Sequence, residues 1–64
     1  MKVLIYKSRF GFRLMTDPAT LKIIKDEVDH YSLYKNNPEC SVYISDRDMA
    51  FLTLKHKDWI YEMM

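Results

Sequence analysis

Sixty-four residues bound this chain to one domain, residues 1–64. A domain of that size buries only about 60% of the surface its unfolded form exposes, so it is marginal without a metal, a disulfide or a partner. A composition of 48% hydrophobic and 14% aromatic residues with one glycine and two prolines excludes a disordered chain, a net charge of +1 makes the domain near neutral, and one cysteine excludes an internal disulfide.

The first element is MKVLIYK, where Val3 and Ile5 alternate with Lys2, Leu4 and Tyr6 as in a strand. Its lysines interrupt the apolar run before it reaches a useful length for a secretion signal, and no segment approaches the roughly 20 apolar residues of a membrane span. A cytoplasmic location with no membrane partner is therefore expected. FRLMT resumes the β-prone composition after Gly11, so residues 2 to 7 and 12 to 16 form a hairpin turning through Ser8 to Gly11. Lys2, Lys7, Arg9 and Arg13 make this end basic. Lysine and arginine on an edge strand also discourage edge-to-edge pairing, which explains the charge without a ligand.

Asp17-Pro18 is a helix start, with Asp17 as cap and Pro18 in the first helical position, where its missing N–H costs nothing. The spacing predicts a helix from Pro18 to about Tyr34, stopping before Asn36-Asn37-Pro38. Leu21, Ile24, Val28 and Tyr31 form its core stripe, and Lys22, Lys25, Asp26 and Asp29 a charged face. Ala19, Ile23, His30 and Tyr34 collect on a third face, either covered by the C-terminal helix or open to a protein partner.

CSVYIS, Cys40 to Ser45, is a strand with Val42 and Ile44 inward. The tail admits two readings. As a strand, Ala50, Leu52 and Leu54 alternate with Phe51, Thr53 and Lys55. As a helix, Ser45 to Asp48 has the capping-box spacing, and Met49, Leu52, His56, Trp59, Ile60 and Met63 form one stripe. The helix is preferred because it accounts for the last methionines. The expected fold is α+β, a single small ββαβα domain with a short, antiparallel-containing sheet and two helices packed on one face.

Few motifs point to chemistry. Arg9-Phe10-Gly11-Phe12 resembles the middle of the RNA-recognition strand signature, but Ser8, Arg9, Arg13 and Met15 stand where a base, a glycine, a valine and an aromatic belong. Cys40 has no histidine at a diagnostic spacing, His30 and His56 are isolated, and Asp46-Arg47-Asp48 reads as helix-start chemistry. There is no phosphate loop and no HExxH, so no enzyme, cofactor or metal is expected.

The run SVYISDRDMAFLTLKHK, Ser41 to Lys57, is similar to small accessory proteins of large T4-like bacteriophages, as is the short, Lys/Tyr/Met-rich and nearly glycine-free style of the chain. The resemblance implies a protein that binds and redirects or inhibits a host protein, and it transfers no residue. Two functions follow. One is a non-enzymatic protein-binding module, an inhibitor or adaptor of a host protein or a self-associating chain, acting through Ile23, His30 and Tyr34 or through Arg9, Phe10 and Arg13. The alternative is a nucleic-acid binder using Lys2, Lys7, Arg9, Phe12 and Arg13.

Overall fold

The computed structural model describes residues 1–64 as one α+β unit. Its elements are β1 (Lys2–Ser8), β2 (Gly11–Met15), α1 (Pro18–Glu27), β3 (Ser32–Leu33), β4 (Ser41–Ile44), α2 (Asp46–Lys55) and β5 (Ile60–Met63). The strands form one mixed sheet in the order β3-β4-β2-β1-β5, antiparallel except where β5 runs parallel to β1. Two short strands, β3 and β5, add to the expected elements.

The hairpin forms as expected, with Ser8 opposite Gly11. No residue other than glycine takes a positive φ, so Arg9 and Phe10 leave the reversal of direction to Gly11, at φ 145°. A Cβ there would lie 2.2 Å from the Ile44 carbonyl oxygen in β4. The chain's single glycine is required both by its backbone angle and by the neighbouring strand.

The start of α1 is also as expected. Asp17 accepts a hydrogen bond from the Thr20 backbone N–H at 3.0 Å and from the Thr20 hydroxyl at 2.7 Å, and Pro18 follows. The helix ends at Glu27, seven residues before Tyr34. Val28 turns extended (φ −85°, ψ 152°) while its N–H still bonds to the Ile24 carbonyl. Val28, Asp29, His30 and Tyr31 all have modest helix propensity, and the sheet offers β3 a ladder along β4 instead. The proposed third face of α1 therefore does not exist: His30 and Tyr34 lie beyond the helix, and Ile23 packs against the core. Tyr31, expected inside, is exposed.

The tail also divides. Ser45 caps α2 by accepting from the Asp48 N–H at 3.1 Å, and the helix stops at Lys55. Trp59 enters the core and Ile60–Met63 becomes β5. The six-residue stripe from Met49 to Met63 is thus divided: Met49 and Leu52 are helical, His56 and Trp59 lie in the connection, and Ile60 and Met63 are in the strand, while the alternative hairpin strand from Ala50 does not form.

The chain β2-α1-β3-β4-α2-β5 is a split βαβ arrangement with β1 inserted between β2 and β5. Its two crossovers run in opposite directions along strands of opposite sense, so crossovers of the same hand put both helices on one face. There Val3, Ile5, Leu14, Val42 and Ile44 meet Leu21, Ile24 and Val28 from the α1 side and Met49, Leu52 and Trp59 from the α2 side. Each fully buried aliphatic side chain contributes about 1.5–3 kcal/mol. No helix covers the opposite face of the sheet. No helix is long and apolar enough to cross a membrane.

Candidate protein-binding groove

The turn of the β1–β2 hairpin projects beside the end of β4 and the segment that follows α1. Between them lies a cavity of about 600 Å³, lined by Ser8–Phe10, His30–Ser32 and Tyr43–Ser45. Phe10 stands at its edge with 86% of its surface exposed, the most exposed large apolar side chain of the protein. The Arg9 guanidinium lies 5.5 Å from the Phe10 ring centre. The lining holds two nitrogen bases, Arg9 and His30, and no carboxylate. Phe10, Tyr31, Tyr43 and Ile44 supply its apolar surface and three serines its polar edge, a concave lining with a cation beside it that suits an apolar side chain accompanied by a negative charge.

Local sequence explains each wall. Gly11 lets the turn close so that Arg9 and Phe10 project. The early end of α1 releases His30 and Tyr31. In β4, alternation buries Val42 and Ile44 among the core and turns Tyr43 to the uncovered face. Of the residues singled out from sequence, Arg9, Phe10 and His30 meet here. Tyr34 does not line the groove, but its ring packs against Tyr43, which does, with centroids 5.8 Å apart. Ile23 lies elsewhere, against the core. Sequence reasoning missed Tyr31, Ser32, Tyr43 and Ile44. The strand alternation was a usable signal for Tyr43, whereas Tyr31 was misplaced by the overlong helix.

The uncovered sheet face adjoins the groove. There Arg13 lies between two rings, its guanidinium carbon 4.1 Å from the Tyr6 centroid and 4.6 Å from that of Tyr34. The stack leaves Arg13, Tyr6, Tyr34 and Tyr43 half-buried.

The five residues considered for nucleic acid do not share a surface. Lys2 and Arg13 lie on the uncovered face, Lys7 and Phe12 on the helix face, and Arg9 at the hairpin turn. Two of the cations face acids: Lys2 pairs with Glu62 at 2.7 Å and Lys7 with Asp46 at 3.9 Å. Lys7 also lies 4.6 Å from the Phe12 ring centre.

A second polar cluster ties the helix ends together. His56 Nε2–H donates to Glu27, Lys55 approaches the same carboxylate at 3.6 Å, and the His56 ring stacks on Trp59 at 3.9 Å. The Tyr61 hydroxyl donates to the His56 carbonyl at 2.8 Å. Burial first, then Asp58 and Glu27, raise the Tyr61 hydroxyl above its ordinary value. These contacts join α1, α2 and β5, and Glu27 also lines a second, smaller cavity with Asp29, Arg47, Asp48 and Phe51. Cys40 is a half-exposed free thiol, and no group of three or more His, Cys, Asp or Glu side chains is placed to hold a metal ion.

No family model, curated protein or solved structure matches the chain. The geometry of the groove therefore carries the functional argument.

Proposed function

We infer that the protein is a non-enzymatic binding module whose groove takes a segment of another protein, an apolar side chain next to an acidic one. The observation that carries this reading is Phe10, 86% exposed on a tight turn beside a cavity lined by Tyr31 and Tyr43, with Arg9 and no carboxylate in its lining. Burying such a side chain at an interface contributes about 1.5–3 kcal/mol, typical of a binding anchor. Arg9 supplies the charge that selects an acidic neighbour.

The finer reading rests on the resemblance in style between Ser41–Lys57 and accessory proteins of T4-like phages. In it the partner is a host protein, the effect is inhibition or redirection, and the place of action is the host cytoplasm. Nucleic-acid binding is less supported, because the basic hairpin divides between two faces and two of its cations face acids.

The test is a titration of isotope-labelled protein, followed by NMR, with acidic and aromatic peptides selected from a displayed library, and in parallel with single-stranded oligonucleotides. The expected result is saturable shifts at Arg9, Phe10, His30 and Tyr43 with peptide only. Saturable shifts with oligonucleotide alone, or peptide shifts confined to other surfaces, would overturn it.

A further inference from the structure

The two edges of the sheet differ. On one side β3 is two residues long and offers little ladder to another strand. On the other, β5 runs for four residues with nothing beyond it. Ile60 N–H bonds to the Met1 carbonyl and Met64 N–H to that of Ile5, both at 2.8 Å. In a parallel ladder alternate residues bond to the same neighbour, so Ile60, Glu62 and Met64 face β1 while the N–H and C=O of Tyr61 and Met63 point away from the sheet. The edge has no proline, no bulge and no lysine within the strand, and its one charge, Glu62, is paired with Lys2 of β1. Ile60 and Met63 are each 62% exposed.

We propose that β5 is a homodimer interface, pairing antiparallel with β5 of a second copy about a two-fold axis at Tyr61. Both backbone groups of Tyr61 point outward, so two copies exchange two hydrogen bonds there. Opposite residues of an antiparallel pair share a face, which leaves few registers. Centring on Tyr61 places Ile60 opposite Glu62 of the second copy. Moving one step toward the C-terminus sets Glu62 against its own symmetry mate, opposing two carboxylates that each have only the Lys2 of their own protomer, and moving one step back onto Ile60 leaves that single strand residue paired. Centring on Met63 pairs only the last two strand residues. The Tyr61 register therefore keeps the most strand paired without a charge conflict. The contact is isologous and closes, because the remaining edges of the dimer are the two-residue β3 strands. The groove lies toward the β3–β4 side of the sheet, so each dimer carries two free grooves. This proposal does not depend on what they bind.

The experiment is sedimentation equilibrium of the 64-residue chain over a wide concentration range, with the variants Ile60→Glu and Ile60→Lys. Ile60 is exposed, and far-UV circular dichroism checks that both variants keep the fold. The wild type is expected to pass from monomer to dimer. Ile60→Glu places a carboxylate opposite Glu62 twice per dimer and weakens association on the order of tenfold. Ile60→Lys faces the same carboxylate and associates at least as tightly as the wild type. A wild type that stays monomeric throughout would overturn the proposal. So would an equal loss in both variants, which is the signature of non-specific apolar association.

Discussion

The imidazole of His56, which closes α2, donates a hydrogen bond to the carboxylate of Glu27, the last residue of α1. Each side chain is only 18% exposed. With Lys55 at 3.6 Å from the same carboxylate, this bond ties the ends of the two helices together, and it orients the ring that stacks on Trp59. Glu27→Ala leaves the imidazole half-buried without its acceptor and is expected to cost about 1–2 kcal/mol. Glu27→Gln keeps an acceptor oxygen and should cost less. Urea unfolding of both variants checks the order; equal stabilities would show that the bond contributes nothing.

Gly11→Ala is expected to be the most damaging small substitution in the hairpin. The added methyl meets backbone rather than a side-chain end, and φ 145° is strained for any residue with a Cβ. A loss of about 3 kcal/mol is a large part of the stability of a domain this size. Thermal unfolding reads the effect directly.

Ser41 presents the opposite case. It is fully buried, and its hydroxyl has no hydrogen-bond partner. Replacing it with alanine removes an unsatisfied polar group at little loss of volume. Ser41→Ala should therefore stabilise the protein, by up to about 1 kcal/mol. A clear loss of stability would mean that the hydroxyl is satisfied in solution.

Two groups titrate away from their ordinary values and so link folding to pH. The Thr20 hydroxyl, then the Thr20 N–H, hold the Asp17 carboxyl below its ordinary value. A depressed carboxyl stabilises the fold above its unfolded value of about 4, and this contribution is lost as pH falls through the folded value. The Tyr61 hydroxyl is shifted up, so its contribution is intact below about pH 10 and is lost as pH rises from there through the folded value. Melting temperatures across pH should show a shallower acid limb in Asp17→Asn and a shallower alkaline limb in Tyr61→Phe. Limbs that match the wild type would contradict these assignments.

Much of the architecture was legible because local signals agreed with the tertiary fold. Asp17-Pro18 and Ser45 to Asp48 marked both helix starts, and alternation marked β1 and the inward residues Val42 and Ile44. The helix ends were less legible. Helical spacing continues through His30 and Tyr34 and through Trp59 and Met63, but within those stretches Ser32–Leu33 and Ile60–Met63 are taken by strands whose partners are distant in sequence. Ser32 pairs with Tyr43, and Ile60 with Lys2. A one-dimensional period does not contain that competition. The groove inherits the same limit. Arg9, Phe10 and His30 stood out individually, but only the early end of α1 brings His30 to the hairpin turn, and Tyr43 joins them through pairing rather than spacing.

The most direct test of the groove is retention of partner protein from bacterial lysate, in nuclease-treated and untreated halves, by the wild type and by Phe10→Ala combined with Arg9→Glu. Phe10 and Arg9 are exposed, so the double variant should unfold at the wild-type temperature. The account predicts one protein retained equally in both halves by the wild type and reduced at least tenfold by the variant, the equivalent of about 1.4 kcal/mol. Retention that disappears with nuclease, or that the variant leaves unchanged, would contradict it.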